Sequence, residues 1–529
     1  MNALTGTRML IRLALRLDRI RLPLWIGVFV VVAAASAAAT VALYPGAADR
    51  AAIADSVNSV PAMLALYGPV YAPTAGATAV FKLGGFGAAL VGLLMILTVV
   101  RHTRAEEESG RLELVGAAVT GRSAALAAAL TVVSAASLVL GLVTAFGLVA
   151  AGLPWAGSFA FGLGWAVTGL AFGSLAAVTA QLTRGARTAS GLAAAALVVA
   201  YVLRAVGDAT GNAWLSWLSP IGWAHQLHAY AGERWWVSLL SLGFAAACAG
   251  AARRLAHRRD FGAGLLADRA GPERADRLLR GSWGLTWRLN RMALGVWTAC
   301  FLALGVVIGN LAGGVSRFLD TPKARQLIAA LGGESGVTDS FLAAEFAIFG
   351  VLVSVYAVWV VVRLGQEEHA LRLDPLLAGA VGRARVLTGY LLTAGAGSAL
   401  PLVAAGIGAG IGNGLRSGDV TGEIARLTGA AVSRLPAVWV LAALAFAVFG
   451  LAPRAVAWMW GVLAGFVVIG DFGPLLGLPA WVVDLSPFTH LPRLPGAAVS
   501  VTPLLWLVMA AVALFLLGLT AFRGRDVAT

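Results

Sequence analysis

Charge is scarce in this chain. Asp, Glu, Lys and Arg supply 12% of its 529 residues, while hydrophobic residues supply 59%. A soluble domain carries about a quarter of its residues charged to cover its surface, so a soluble globular protein is excluded. Lysine is almost missing: Lys82 and Lys323 are the two lysines among 39 basic residues. Neither stands in a Gly-x-x-x-x-Gly-Lys-Ser/Thr run, which excludes a phosphate-binding loop of that type. The two cysteines, Cys248 and Cys300, lie in apolar stretches and supply neither a disulfide framework nor a metal cluster. The six histidines, among them His225, His228 and His490, are scattered and form no His-Glu-x-x-His run. No catalytic constellation and no ligand set for a cofactor or metal emerges, so the chain does not read as an enzyme by itself.

What is present is apolar sequence in long runs. Segments 22–43, 83–100 and 504–522 reach the roughly 17–25 residues that cross a bilayer as a helix. Twelve spans are read at about 22–43, 81–100, 124–150, 159–182, 189–206, 236–252, 293–311, 344–362, 386–411, 431–450, 455–472 and 503–522. The expected fold is all-α, a polytopic membrane protein of about twelve transmembrane helices in contact with membrane lipids. About 21 residues precede the first span, which is long enough to cross and reads as an anchor rather than a cleaved leader. With both termini inside, about 28 of the 39 Lys and Arg residues fall on the cytoplasmic side, the bias that sets membrane orientation. That bias accounts for the net charge of +14, and no nucleic-acid partner is implied. The expected location is the cytoplasmic membrane.

The chain repeats itself. Arg16-Leu17-Asp18-Arg19 returns as Arg288-Leu289-Asn290-Arg291, and Trp25 as Trp297, both 272 residues later. Arg187 returns as Arg454 and Ser219-Pro220 as Ser486-Pro487, both 267 residues later. Two six-span halves follow, 1–255 and 256–529, parallel because six spans return the chain to its starting side. Each half opens on a basic segment. In the first, Arg8, Arg12, Arg16 and Arg19 recur at helical spacing opposite Leu10, Leu13 and Leu17, as in a helix lying at the membrane surface. The outer segment at 473–502 is Pro-rich, and its counterpart before it carries Trp214, Trp217, Trp223, Trp235 and Trp236; both read as short interfacial helices broken by proline.

Acidic residues number 25, yet two clusters of them stand about 260 residues apart, each between two spans. The first runs Glu106-Glu107-Glu108-Ser109-Gly110-Arg111-Leu112-Glu113-Leu114 and ends at Gly121-Arg122. The second runs Gln366-Glu367-Glu368-His369-Ala370-Leu371-Arg372-Leu373-Asp374 and ends at Gly382-Arg383. A short amphipathic stretch of this kind combines apolar contact with charge complementarity toward a soluble partner. Two such loops on a duplicated chain suit two identical partners. Lys82, Arg204, Asp208, Glu345 and Asp471 stand near outer span ends, where snorkelling or a shifted span boundary explains most of them. The middle of each span is nearly free of charge, and an energy source outside the chain fits better than a proton relay within it.

The first acidic loop, with Gly121-Arg122 and a new span behind it, resembles the coupling-helix loop of ABC-2 type permeases. The surface helix before the first span resembles that class's connecting helix. Ser219-Pro220-Ile221-Gly222-Trp223 and Leu485-Ser486-Pro487-Phe488-Thr489-His490 resemble its Ser-Pro elements before the last span. Gly232-Glu233-Arg234-Trp235-Trp236 and Pro492-Arg493-Leu494-Pro495-Gly496 are similar to segments of the fused twelve-span actinobacterial permeases of polyketide-antibiotic export.

The resemblance implies a transport subunit docked to two copies of a separate ABC ATPase, which holds the ATP and Mg. It implies docking through Glu107, Glu108, Arg111 and Glu113 in one loop and Glu367, Glu368, Arg372 and Asp374 in the other. The implied cargo is a hydrophobic small molecule carried outward. The second span of each half would line its cavity, with Phe81, Phe86, Phe346, Phe349 and Tyr356 as candidate contacts. The alternative is a gradient-driven transporter of the major facilitator type, which also has two parallel six-span halves.

Overall fold

The structure, a computed structural model, describes residues 3–116, 120–260, 262–266, 273–274, 281–312, 333–379, 381–472 and 479–525. Lys323 and residues 473–478 of the Pro-rich outer segment fall outside them. The described residues form helices and no strands. Twelve of the helical stretches are long and apolar enough to cross a membrane. This is a multi-pass, all-α membrane protein.

The chain divides into two units, Met1–Ala270 and Gly271–Thr529. The six spans of unit 1 are Arg21–Leu43, Ala75–Glu108, Ala124–Ala150, Trp155–Leu182, Ala186–Thr210 and Trp235–Arg258. Those of unit 2 are Ser282–Ala312, Gly336–His369, Arg383–Ser417, Val420–Leu451, Pro453–Gly470 and Val501–Gly524. In both units the second and fourth spans are the most enclosed, with 61% and 78% of the apolar window buried in unit 1 and 61% and 67% in unit 2. The loop that follows the second span therefore hangs from a core element of its unit, which fixes its root.

Local chemistry sets the helix ends. Thr74 caps the second span by accepting from the Ala77 N–H, and Ser219 caps the short helix Pro220–Gln226 by accepting from Ile221 and Gly222. Pro220 then occupies the first helical turn, where its missing N–H leaves nothing unsatisfied. The surface helix Thr7–Leu17 buries Leu10 and Ala14 and leaves Arg8, Arg12, Arg16 and Arg19 exposed. Leu13 and Leu17 are exposed too, on the outside of the protein where lipid can cover them. Unit 2 departs from this arrangement, because its basic segment is continuous with the first span in one helix, Ser282–Ala312. Where Asp18 follows the last residue of the surface helix in unit 1, unit 2 carries Asn290, whose side chain donates to the Thr286 carbonyl within the continuous helix.

Glycine sets the closest helix crossings. Gly305 and Gly309 of the first span of unit 2 meet the backbone at Ala405 and Ala409 of the third, while Gly408 and Gly412 meet the first span in return. This is the small-xxx-small packing by which helices approach in lipid. We expect Gly309→Val to force these two spans apart and to destabilise unit 2 by about 1–3 kcal/mol. A lower melting temperature of the purified protein would show it, and an unchanged one would contradict the reading of this crossing.

Candidate functional site

The second span of unit 1 closes with a π-helical turn, Arg101–Ala105, and runs on through Glu106–Glu108. Gly110 then adopts a left-handed conformation at φ 73°, which glycine accepts without strain, and a new helix starts at Arg111. In unit 2 the same reversal falls on Leu371 at φ 56°, a conformation that carries strain for leucine. The two loops therefore superpose at a shift of 261 residues, one more than their acidic runs suggest when set side by side. Gly110 answers to Leu371, Glu107 to Glu368 and Glu113 to Asp374. The ion pair Arg111–Glu106 (3.6 Å) returns as Arg372–Glu367 (3.2 Å).

Beneath each loop lies a matching latch. In unit 1, Glu107 is 3% exposed and accepts from Arg259 Nη1 at 2.6 Å and Nη2 at 2.7 Å, from Arg104 Nη1 at 2.8 Å and from the Gly262 N–H at 2.7 Å. Arg259 is the residue at which the sixth span ends, and its carbonyl accepts from Arg122 at 2.7 Å. In unit 2, Glu368 is 3% exposed and accepts from Arg525 Nη2 at 2.7 Å. Arg525 also ends a sixth span, and its carbonyl accepts from Arg383 at 2.5 Å. Each unit thus ties its loop to the chain leaving its sixth span through three corresponding residues, one Glu and two Arg.

The latches are unequal. Where unit 1 has Arg104, which also donates to the carbonyls of Arg184 and Ala263, unit 2 has Gly365. Glu368 Oε1 is left with no partner among the described residues. Arg525 is covered instead by the rings of Phe449 and Phe522, each centred 5.1 Å from it.

Of the eight residues expected to dock a partner, Glu107 and Glu368 therefore face inward and Glu367 is half-buried between Arg363 and Arg372. Glu108 accepts from the Ala186 N–H at 2.8 Å, capping the fifth span while remaining exposed. Arg111, Glu113 and Arg372 are exposed, and Asp374 is half-buried. Sequence reasoning missed Arg104, Arg259 and Arg525. An Arg-Asp dipeptide directly after the last span of each unit, Arg259-Asp260 and Arg525-Asp526, was the available signal.

A second tie joins the start of each unit to its second span. Asp18 is buried and pairs with His102 and, at 3.4 Å, with Arg101. Its counterpart Asn290 accepts from Arg363 at 3.1 Å. Burial pushes the Asp18 carboxyl pKa up, but the hydrogen bond and charge of His102, then the charges of Arg101 and Arg21, outweigh it and hold the group below 3.8. A depressed carboxyl contributes stability that is present at neutral pH and is lost as pH falls through its folded value. Asp18→Asn should therefore lower the melting temperature at pH 7 and lose that difference on acidification below 3.8. Melting curves of both proteins across that range would check it, and a constant difference would contradict the assignment.

Comparison with known proteins agrees with this architecture. The family described as "Multidrug efflux system permease Rv1217c, C-terminal domain" matches residues 279–523, the span content of unit 2. The chain is also 44% identical over 528 residues to the multidrug efflux system permease protein Rv1217c of Mycobacterium tuberculosis, covering 99% of this chain and 96% of that one. The chain belongs to this family of efflux-system permeases.

The permease's candidate cargo contacts are split by the structure. Phe346, Phe349 and Tyr356 are 0–2% exposed in the core of unit 2, where Tyr356 meets Trp297 edge-on, Phe349 lies tilted against Phe301 and Phe346 meets Phe349 edge-on. Phe81 is half-buried, edge-on to Tyr67 at 5.6 Å, and lines a cleft of about 60 Å³ with Tyr71 and His225. Phe86 is 51% exposed on the surface of unit 1.

Arg204 does not snorkel. It is fully buried, 3.4 Å from Asp208, stacked 4.4 Å from the Tyr201 ring, and within reach of the Leu64 and Leu66 carbonyls. Gly85 and Gly68 leave the space it fills, and with its charge matched by Asp208 the guanidinium is better placed inside than in lipid. Burial and Arg204 together push the nearby His225 down to about 3, so this histidine is neutral at physiological pH. The Ser-Pro elements are also equivalent in structure: Ser219 Oγ donates to Ala200 O at 2.7 Å and Ser486 Oγ to Phe466 O at 3.0 Å, each reaching the fifth span of its unit.

Proposed function

We propose that this permease is the membrane subunit of an ATP-driven exporter of the ABC-2 type, moving hydrophobic compounds of the antibiotic or drug kind out across the cytoplasmic membrane. One observation carries the reading: the loop after the second span is built twice on the same frame, with the same ion pair, the same reversal of backbone direction and the same buried Glu–Arg latch beneath it. Two soluble ATPase subunits holding ATP and Mg would each meet one loop at the face that carries the N-terminus, which we place in the cytoplasm. The docking surface is then Glu108, Arg111 and Glu113 on one loop and Arg372 and Asp374 on the other. Glu107, Glu367 and Glu368 hold the loops in shape. Phe81 and Phe86 are proposed as cargo contacts in the second span of unit 1. The relative is named a multidrug efflux system permease, which supports the cargo class and the outward direction.

A gradient-driven transporter is the second reading, and the buried Arg204–Asp208 pair is the observation that favours it. Dye efflux from cells expressing the permease with its partner separates the two. The ABC reading expects ethidium efflux to persist when a protonophore collapses the gradient and to stop when ATP is depleted. Efflux that stops with the protonophore at constant ATP, and that is lost in Asp208→Asn, would give the second reading precedence.

A further inference from the structure

Unit 1 contains a cavity of about 360 Å³ directly under its acidic loop, walled by Thr103, Leu112, Ala125, Leu126, Gln181 and Ala256, with Glu107, Arg122, Arg259 and Asp260 around them. This volume is at the lower end of the range for small-molecule sites, and the mixture of an apolar wall with a few polar groups is typical of them. Glu107 and Arg259 are already paired with each other, and Gln181 Oε1 accepts from Arg259 Nε at 2.6 Å. Asp260 and Arg122 stand exposed, and among the described residues Arg122 donates one bond, from Nη2 to the Arg259 carbonyl.

The duplicated chain provides an internal control for this space. Unit 2 has the same Glu–Arg latch and keeps Leu373, Leu387 and Arg383 where unit 1 has Leu112, Leu126 and Arg122, but three positions of the wall carry larger apolar residues. Thr103 is answered by Leu364, Ala125 by Val386, and Ala256 by Phe522, all buried to 3% exposure or less. Phe449 lies tilted against Phe522 with ring centres 5.3 Å apart, both beside Arg525. The same frame therefore carries bulkier, buried side chains at these three positions in unit 2, and the smaller side chains of unit 1 leave the space beneath its loop.

We infer that the cavity under the unit 1 loop is a binding site for an amphipathic organic molecule, its apolar body against Leu112, Leu126 and Ala256 and an acceptor group such as a carboxylate on Arg122. The carboxylate of Asp260 at the same rim selects against a highly charged anion. Taken with the export reading, on which the identity of the occupant rests, this is where cargo is held before crossing. An occupied cavity also presses on Leu112, the apolar residue of the loop itself, so cargo and loop position are linked through one side chain.

The test uses purified full-length permease in nanodiscs, with benzophenone-4-carboxylate as a photoreactive probe and crosslinks mapped by mass spectrometry. The inference expects crosslinks on peptides containing Leu126 and Ala256. It expects them to fall at least tenfold in Thr103→Leu/Ala125→Val/Ala256→Phe, the combination that unit 2 already carries. Ala125→Val alone serves if the triple variant melts early, with a smaller loss in the same peptides. Arg122→Gln should weaken labelling by the carboxylate while leaving labelling by uncharged benzophenone within twofold. Labelling unchanged by filling overturns the site. Labelling displaced by phosphatidylglycerol and not by excess unlabelled benzophenone-4-carboxylate overturns the small-molecule assignment in favour of a lipid headgroup. Because neither ATP nor a partner is present, failure of the export reading would leave this result standing, and a filled cavity without effect on labelling would sink the site alone.

Discussion

Arg525→Gln is expected to destabilise unit 2 by about 3–5 kcal/mol, the loss that follows when one member of a buried ion pair is removed and the other stays charged. Glu368 is 3% exposed, its Oε2 is held by Arg525, and its Oε1 has no partner among the described residues, so nothing else compensates it. Glu107→Lys should cost unit 1 at least as much, because it sets a third cation against Arg104 and Arg259. The effect belongs to the pair and not to either residue. The swap Glu368→Arg/Arg525→Glu should recover a large part of the loss, although the Phe449 and Phe522 rings favour the cation on the Arg525 side and keep the recovery incomplete. Melting curves of the two single variants and the swap give the coupling directly. Additive losses in the swap would show that the two residues act separately and would remove the latch.

Reversing the outer loop charges is expected to do the opposite: abolish export and largely spare stability. Glu113 stands free on its loop and Asp374 occupies the equivalent position 261 residues later. Glu113 is exposed and Asp374 half-buried; exposed charges contribute about 0–1 kcal/mol to folding, so Glu113→Lys should melt close to the parent, and Glu113→Lys/Asp374→Lys should lose far less stability than the latch variants. The same double reversal faces the partner with like charge at both proposed docking points, where misplaced charge costs several kcal/mol of association. Dye efflux should fall at least tenfold. Efflux at the parental rate from a normally folded double variant would remove the docking role from these loops. A triple reversal of Glu107, Glu108 and Glu113, which the acidic run alone invites, would confuse the two effects, because Glu107 belongs to the latch.

The twelve spans were legible because a bilayer imposes one long apolar run per crossing, and the duplication was legible because Arg16–Arg19 and Ser219-Pro220 return nearly unchanged. The loops could be located by their acidity in a chain that has little of it. Their register could not, since it depends on the left-handed turn at Gly110, which Leu371 replaces against its own preference. Which glutamate faces inward was also hidden, because Glu106, Glu107 and Glu108 are chemically alike and the partner, Arg259, lies 152 residues away. Arg204 misled for a different reason. Position near a span end suggests snorkelling, but Asp208 one helical turn on and Gly85 of the second span with Gly68 before it make a closed polar site instead. The cavity of unit 1 was legible only by comparing the two halves position by position, once the structure had set the shift at 261 for the loop and 266 for the sixth span.

The central claim is that two separate ATPase subunits drive this permease through its two loops. Affinity purification of the full chain from its native membrane under gentle conditions, with the stoichiometry of any companion measured by native mass spectrometry, tests it most directly. A soluble ATP-hydrolysing subunit is expected at two per permease, lost from the Glu113→Lys/Asp374→Lys variant while the permease itself remains intact. A permease that purifies alone, or that keeps its full complement of companion in that variant, would contradict it.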